Sequence, residues 1–334
     1  MNEIIAIDLA KTVFQLHFVE GSPSVIQRKV LKRQQILTFF SNRTPCRVVM
    51  EACGSSHYWA RKLRAFGHDV RLIAAQFVRP YVKSNKNDAA DAEAIWEAAQ
   101  RPGMRFVAVK SADQQSILAL HRIRQQIVRI RVMQINQLRG LLYEFGFIFP
   151  AGRSASIKAI RDQLPEMEAD VPRMLLDSVE EQLGRLALLD EQVARIEMRI
   201  TEWRRNDEAC RRISEIPGVG LLTATAAVAV IGDAKTFRSG REFAAYLGLV
   251  PRQTGTGGKI RLGGISKRGD VYLRTLLIHG ARSVIACAKR LPDQTQKLLA
   301  RRPTNVVAVA LANKAARIIW ALLAHDRRYE PIAA

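Results

Sequence analysis

Residues 3–30, EIIAIDLAKTVFQLHFVEGSPSVIQRKV, contain three short runs of residues that favour β-structure. The runs EIIAIDL at 3–9 and TVFQLHFV at 12–19 are separated only by a tight polar break, and VIQRKV at 25–30 alternates apolar and polar residues again. Closely spaced runs of this kind are typical of antiparallel strands joined by hairpins. The sequence therefore predicts a three-stranded β-meander at the beginning of the chain.

The next elements alternate between helix and strand. A helical pattern at 31–42 is followed by the apolar strand CRVVM, which Glu51 closes, by a helix at 57–66 and by a strand at 69–74. The order β-β-β-α-β-α-β is that of the ribonuclease-H-like folds, in which the first strand lies beside the fourth. We expect an α/β domain of this class, with functional side chains near the carboxyl ends of its strands.

Long helices are predicted in the middle of the chain. Residues 111–146 carry apolar residues at steps of mostly three and four, and after a Pro/Gly-marked break at 146–172 apolar residues recur from Val179 to Trp203 with a period near 3.5. They are either core helices of a bundle or an antiparallel coiled-coil arm. The predicted parts are a ribonuclease-H-like α/β domain at 1–108, a helical coiled-coil arm at 109–207 and a mainly α C-terminal domain at 208–334.

The composition points to a nucleic-acid partner. The 334 residues carry 52 lysines and arginines against 31 acidic residues, a formal net charge of +21, while 48% are hydrophobic. This charge exceeds what solubility needs, and the hydrophobic content excludes a disordered basic tail. The four cysteines show no CxxC or zinc spacing, and the apolar stretch 305–325 is interrupted by polar residues. We expect a soluble cytoplasmic protein that, in a bacterium, is associated with the nucleoid.

Four acidic residues stand where a carboxylate is costly or repelled. Asp8 lies inside the apolar run IIAIDLA, Glu51 closes VVM, and Asp88 and Asp91 are spaced i, i+3 on one face of the predicted helix in KNDAADAEAIWEAA. Each acid alone has a plainer explanation, as a surface residue at a strand end or as a helix N-terminal residue. Together they predict a hard-oxygen site for two Mg²⁺ ions, suited to phosphodiester transfer.

Five separated motifs resemble one known family, in the family's order. The segments AIDLAK, MEACGSSHYWA, KNDAADAEAI, IPGVG and GISKRGDVYLR look like those of the DEDD-type insertion-sequence transposases. The resemblance spans nearly the whole chain, and it implies a RuvC-like domain followed by a transposase domain. It further implies a homo-oligomer, either a dimer or a tetramer, that acts on element ends and target DNA with a guide RNA and a covalent protein–DNA intermediate. The family's four catalytic, metal-binding acids match Asp8, Glu51, Asp88 and Asp91.

Two C-terminal segments predict contact with nucleic acid. IPGVG at 216–220 resembles a helix-hairpin-helix, whose backbone N–H groups near Gly218 and Gly220 would hold a phosphate; a plain helix–helix turn is the alternative. The segment 251–274, PRQTGTGGKIRLGGISKRGDVYLR, carries one acid, Asp270, among many cations and glycines. We expect it to contact DNA at the chemical centre, rather than to be a basic surface loop. Its cations are Arg252, Lys259, Arg261, Lys267, Arg268 and Arg274.

The attacking hydroxyl is predicted in the same segment. The resemblance implies a serine nucleophile here, but this chain reads Thr254-Gly255-Thr256-Gly257. We expect Thr256 to take this role, because it precedes a glycine pair and the cation Lys259. Thr254, Ser266 and water are the alternatives, since the methyl group of threonine restricts χ1 and crowds the attack.

The leading hypothesis is therefore an insertion-sequence transposase or recombinase that cuts and rejoins DNA by Mg²⁺-dependent phosphoryl transfer. The alternative enzyme is a structure-selective nuclease resembling a junction resolvase, in which water attacks. The third hypothesis is a non-enzymatic nucleic-acid-binding protein whose acids only cap helices and face solvent.

Overall fold

The computed structural model describes residues 3–20, 25–82 and 88–330, and for Asp88 it describes the backbone alone. The N-terminal part holds six strands and four helices among these residues, and the remainder is mostly helical. In chain order, the N-terminal elements are β1 (Ile4–Leu9), β2 (Val13–Glu20), β3 (Val25–Lys32), α1 (Gln35–Ser41), β4 (Arg47–Glu51), α2 (Ser56–Arg64), β5 (Asp69–Ile73), α3 (Ala75–Val78), α4 (Asp88–Ala99) and β6 (Phe106–Val107).

The strands form one mixed sheet in the order β3-β2-β1-β4-β5-β6. The first three strands pair antiparallel, as the predicted meander requires, while β1 pairs with β4, and β4 with β5, in parallel. The prediction that the first strand lies beside the fourth is confirmed. The short antiparallel strand β6 was not predicted, because two residues are too few to carry a periodic signal.

Both faces of the sheet are covered, which explains why β1 and β4 are apolar at nearly every position. On one face Ile5, Ile7 and Met50 pack in a core with residues of α1 and α2. On the other face Ala6 and Val49 pack with residues of α4. The alternation of the strands therefore decides which side chains meet α4.

The remaining elements are mostly helices. They are α5 (Ala112–Tyr143), α6 (Arg153–Met167), α7 (Arg173–Asn206), α8 (Glu208–Ile213), α9 (Leu221–Ile231), α10 (Gly240–Tyr246), β7 (Pro251–Thr256), β8 (Lys259–Ile265), α11 (Val271–Cys287), α12 (Asp293–Leu299) and α13 (Thr304–His325). Helix α6 occupies part of the segment predicted as a break, and Pro165, which lacks the N–H that would donate to the carbonyl of Arg161, lies two residues before its end at Met167. The buried residues of α7, from Val179 to Ile200, keep the predicted period. Those from Val179 to Leu189 pack in a core that includes Leu138 and Leu142 of α5.

The chain divides into two compact units, each assembled from separate segments. Unit 1 comprises Met1–Gln115, Val228–Tyr246 and Ala316–Arg327, and unit 2 comprises Ser116–Ala227, Leu247–Ala315 and Arg328–Ala334. Within unit 1, Arg105 forms an ion pair with Glu242 at 3.1 Å, and the indole N–H of Trp320 donates to the carbonyl of Ala234 at 3.0 Å. The three-part division at residues 108 and 207 stays a prediction.

Helix α13 is long and apolar enough to cross a membrane when judged by length and composition alone. Core helices of soluble proteins pass the same test. Several side chains along its length are fully buried within the protein, namely Val307, Ala308, Ala312, Ala316 and Ile319. Within its most apolar window, 33% of the residues are buried.

Candidate active site

The register of the two central strands places Asp8 and Glu51 side by side. Ile7 of β1 is paired with Met50 of β4, and the next residue on each strand is Asp8 and Glu51. Since side chains alternate along a strand, Asp8 lies on the same face as Ala6, and Glu51 on the same face as Val49. Both are therefore on the sheet face that α4 covers, and both are half-buried at the carboxyl ends of their strands.

Asp91 lies on the face of α4 that packs against the sheet. Asp91 precedes Ile95 by four residues and is half-buried on the stripe that Ile95 and Ala98 bury against the sheet. The indole N–H of Trp96 donates to the carbonyl of Ile4 at 3.2 Å, so the middle of α4 lies beside the start of β1.

The pKa of the Cys53 thiol depends on both strand-end carboxylates. Burial raises the pKa of Cys53, and the negative charges of Glu51 and Asp8 raise this pKa further. Its backbone N–H also donates to the carbonyl of Glu51 at 2.9 Å. Because both negative charges raise the pKa of the same thiol, both carboxylates lie near Cys53.

The described carboxylates share an edge without closing around one point. In the described ranges, no three His, Cys, Asp or Glu side chains lie close enough together to hold a metal ion. The predicted fourth acid, Asp88, is the first residue of α4, and its side chain lies outside the described residues. The neighbouring carboxylates of Asp8 and Glu51 repel each other, and carboxylate oxygens are the ligands that Mg²⁺ prefers. The donor set therefore fits a hard divalent cation.

The predicted nucleophile segment is a β-hairpin, not a loop. Strands β7 and β8 pair antiparallel, with Gly257 and Gly258 as a two-residue turn in which both φ angles are positive, at 56° and 77°. This is the backbone of a type I′ turn, which glycine adopts without strain. Thr256 is exposed immediately before the turn and is paired with Lys259.

The hairpin sorts its residues into two faces. Directly opposed residues of an antiparallel pair share a face, so the pairs Thr256–Lys259 and Thr254–Arg261 place two hydroxyls and two cations together. The alternative nucleophile Ser266 lies just beyond β8, half-buried, and its N–H donates to the carbonyl of Val250 at 2.8 Å. Only the two threonines thus share a face with cations of the hairpin.

The cations of this segment differ in exposure. Arg252, Lys259, Arg261, Lys267 and Arg268 are exposed, as a surface for phosphates requires. Arg274 is only 7% exposed, and its Nη1 donates to the carbonyls of Leu247 and Arg268 at 2.8 and 3.0 Å. The structure corrects the expectation of an open phosphate contact for Arg274, because its guanidinium is used to fix the backbone before α11.

The IPGVG turn is built around close packing. A Cβ on Gly218 would lie 2.7 Å from the carbonyl oxygen of Gly280 in α11, and a Cβ on Gly280 would lie 1.9 Å from the carbonyl oxygen of Gly218. Gly218 is therefore required for contact between two backbones. Gly220 is exposed, and a Cβ on this residue would meet no neighbour within 4 Å, so the N-terminal end of α9 is accessible there.

Helix α5 carries five arginines, and three of them are bound within the protein. Arg124 pairs with Glu197 at 2.6 Å, Arg131 pairs with Asp190, and Arg139 donates to the carbonyl of Phe149 at 3.2 Å. The other two, Arg122 and Arg129, are exposed. The phosphate-binding capacity of α5 is accordingly smaller than the count of arginines suggests.

A buried histidine network beneath α11 was not predicted from the sequence. His121 of α5 is 1% exposed, with Nδ1 2.9 Å from the hydroxyl of Tyr272 and Nε2 2.9 Å from the hydroxyl of Thr225. The Thr225 hydroxyl donates to the carbonyl of Leu221 at 2.8 Å, so it accepts from Nε2, and Nδ1 accepts from Tyr272. A neutral His121 thus ties three helices together, and only the three-dimensional structure brings these residues near each other.

We expect His121 to make the protein less stable in acid. Burial lowers the pKa of His121 to about 4, from 6.5 for an exposed histidine. As the pH falls below 6.5 the unfolded chain binds a proton that the folded chain does not, so the free energy of unfolding decreases, by up to roughly 3 kcal/mol at pH 4. Urea denaturation at several pH values measures this change.

The matched variant for this experiment is His121→Gln, which keeps hydrogen-bonding capacity and does not titrate. It should be less stable than the wild type near neutral pH and should lose less stability on acidification. The pKa of His57 is also lowered to about 4, by burial and by Lys110 and Arg61, and both proteins retain that contribution. Equal pH dependence in the two proteins would contradict the role given to His121.

Comparison with known proteins shows that the sequence of this chain is similar to those of insertion-sequence transposases. Residues 5–147 match a family described as a transposase of the DEDD type found in IS110, and residues 210–296 match the transposase IS116/IS110/IS902 family. The chain is 52% identical to a probable family 20 transposase of Pseudomonas aeruginosa over 98% of both chains. It is 44% identical to the transposase for insertion sequence element IS1328 of Yersinia enterocolitica over 95% of both chains. It is 42% identical to the transposase for IS1111A of Coxiella burnetii, over 98% of this chain and 91% of the relative.

Proposed function

Because this chain belongs to the IS116/IS110/IS902 family of transposases, enzymes that catalyse DNA strand transfer, we propose that it cuts and rejoins DNA with the four acids and the hairpin described above. The observation that carries this proposal is the register of β1 and β4, which sets Asp8 beside Glu51 on the face covered by α4. Structural surface acids have no reason to gather on a half-buried edge of a central sheet.

The acids Asp8, Glu51, Asp88 and Asp91 are the residues that would hold Mg²⁺, as two ions. Bound there, Mg²⁺ would supply Lewis-acid stabilisation of the charge that develops on phosphate oxygens. The four acidic residues have a second role, which is to position the substrate. Their carboxylates, held by two strands and one helix, fix where the phosphodiester can approach the sheet edge.

Thr256 is the proposed nucleophile. The Thr256 hydroxyl would lose its proton as Oγ forms a bond to phosphorus and the bond from phosphorus to one deoxyribose oxygen breaks. The leaving oxygen would take up one proton and depart as a hydroxyl, so no net proton is gained or lost. The phosphodiester energy is retained in the covalent protein–DNA intermediate, so a second DNA hydroxyl can reverse the step and rejoin the strand. Lys259 and Arg261, on the same hairpin face, would offset the negative charge of the pentavalent phosphate.

The finer features of the fold belong to the same proposal. We assign α5 and α7 to a coiled-coil arm, and α8, the IPGVG turn and α9 to a helix-hairpin-helix whose exposed Gly220 admits a phosphate. The protein would act as a homo-oligomer on DNA, with a guide RNA, in the cytoplasm at the nucleoid. Copurification from the host followed by sequencing of the bound nucleic acid tests the RNA partner.

Cleavage of supercoiled and junction DNA tests the proposed reaction. The wild type should nick or cut these substrates with Mg²⁺ and fail with a chelator, and denatured samples should contain protein covalently attached to DNA. Cleavage without an adduct would favour the resolvase-like nuclease, for which the threonine in place of serine is the supporting observation. Binding without cleavage under all of these conditions would favour the third hypothesis, a non-enzymatic nucleic-acid-binding protein.

We expect affinity for DNA to fall steeply with salt, because the exposed cations lie on both α5 and the hairpin segment. The seven exposed residues are Arg122, Arg129, Arg252, Lys259, Arg261, Lys267 and Arg268. If about six of them contact phosphates, affinity falls about a thousandfold between about 50 and about 200 mM salt. Fluorescence anisotropy measures this slope. The variant Lys259→Gln/Arg261→Gln should give a shallower slope, and a flat titration of the wild type would overturn the interpretation.

A further inference from the structure

The second face of the β7–β8 hairpin is apolar and uncovered. The cross-strand pairs Gly255–Ile260 and Gln253–Leu262 lie on the face opposite to the threonines. Ile260 is 63% exposed and Leu262 is 69% exposed. Ile260 is paired with a glycine, so no cross-strand side chain shields it. A narrow ribbon therefore carries two large aliphatic side chains in solvent, close to its turn.

Local stability does not explain these side chains. A two-stranded hairpin with both faces in water gains little from its own residues, and exposed aliphatic groups on such a ribbon favour association with something else. A packing role would bury Ile260 or Leu262 against a neighbouring element. In the described part of the chain all residues of β7 are exposed, and so are all those of β8 except Ile265.

The charge of the ribbon selects the kind of partner. From Pro251 to Gly269 the sequence has no acidic residue and five cations. A second copy of the same ribbon would bring five more cations against the first five, which Coulomb repulsion disfavours. The partner should therefore be a polyanion, which attracts the cations, and it should also have an apolar surface that can contact Ile260 and Leu262. DNA has both, because its phosphates are charged and its stacked bases are apolar.

We propose that Ile260 and Leu262 are an apolar wedge that inserts between neighbouring base pairs of duplex DNA, while the cations of the hairpin hold the flanking phosphates. The proposal rests on the proposed function in one respect, that DNA is the substrate. Insertion unstacks the base step that the wedge enters.

The test compares two duplexes of equal length that differ only at two central base pairs, which are matched in one duplex and mismatched in the other. Phosphate contacts are the same in both, so the ratio of the two affinities reports the cost of unstacking. The wild type should bind the mismatched duplex about tenfold more tightly, since its bases are already partly unstacked. In Ile260→Thr/Leu262→Thr the ratio should fall to near one, with affinity for the matched duplex changed little.

The matched control is Ile26→Thr/Val30→Thr on the edge strand β3, where the residues are 59% and 57% exposed. Its affinity ratio should equal that of the wild type. A ratio near one in the wild type, or a ratio unchanged in Ile260→Thr/Leu262→Thr, overturns the wedge. So does a change of oligomeric state in sedimentation with an unchanged ratio, because the face would then contact another copy.

The experiments distinguish failure of the wedge hypothesis from failure of the proposed reaction. A protein that prefers mismatched DNA through Ile260 and Leu262 but never cleaves would retain the wedge and lose the transposase chemistry. A protein that cleaves and forms the adduct with no preference would retain the chemistry and lose the wedge. Permanganate reactivity of thymines beside the cleavage position gives an independent readout of unstacking.

Discussion

Replacing Asp8 with asparagine is expected to lower the rate of Mg²⁺-dependent DNA cleavage by about a thousandfold. The amide has the size of the carboxylate and lacks its charge, and the position lies between β2 and β4 at the end of the central strand. Loss of one oxygen ligand at this point weakens the whole donor set of the sheet edge. Nicking of supercoiled plasmid over a range of Mg²⁺ concentrations measures the effect.

A matched acid elsewhere in the sheet separates this effect from a general loss of structure. Asp69 stands at the start of β5, where its carboxylate accepts from Arg47 at 2.9 Å and from Arg71 at 2.7 Å. Asp69→Asn removes an equal charge from the opposite end of a neighbouring strand, and it should leave the cleavage rate within about twofold of the wild type because surface ion pairs contribute little. Full activity in Asp8→Asn would remove that residue from the site.

The variant Thr256→Ala is expected to abolish the covalent protein–DNA adduct completely, because no other atom can take the place of Oγ in the bond to phosphorus. Thr256→Ser should restore adduct formation, and with less crowding at Cβ the rate should equal or exceed that of the wild type. Denaturing gels of end-labelled DNA, treated with protease as a control, detect the adduct directly.

Thr254→Ala is the matched control, since Thr254 lies two residues earlier on the same hairpin face. It should retain the adduct. An adduct that persists in Thr256→Ala and disappears in Thr254→Ala or Ser266→Ala would transfer the role to that residue. The two halves of the proposed mechanism are thus tested separately, the acids in Asp8→Asn and the hydroxyl in Thr256→Ala.

The sheet could be predicted because its residues carry strong local signals. Alternation in β2, continuous apolar runs in β1 and β4 and the short connections between them allow few topologies. The strand order then brings Asp8 and Glu51 to one edge without further information. The position of Asp91 also follows from helical periodicity, since Ile95 and Ala98 mark the face that packs.

The hairpin was missed for a reason that is visible in its sequence. No strand was predicted at 251–265, although a Gly-Gly dipeptide flanked by alternating residues is the signal of a type I′ hairpin. The alternation was obscured because Gly255, Gly263 and Gly264 replace side chains at strand positions. The apolar face of Ile260 and Leu262 followed only once the register was known.

Long-range packing could not be read from the sequence. The contact between Gly218 and Gly280, the burial of Arg274 and the network around His121 each join residues from distant parts of the chain. A glycine that permits two backbones to touch looks the same in sequence as one that admits a phosphate. A buried arginine likewise looks the same as an exposed one.

The segmented composition of unit 1 has a consequence for how the protein is made. Its last segment, Ala316–Arg327, is translated long after its first, Met1–Gln115. The sheet and its acids can form early, but the unit that contains them is complete only once residue 327 has been made. A truncated transcript ending after residue 207 would yield the acids without two of the three segments of their unit.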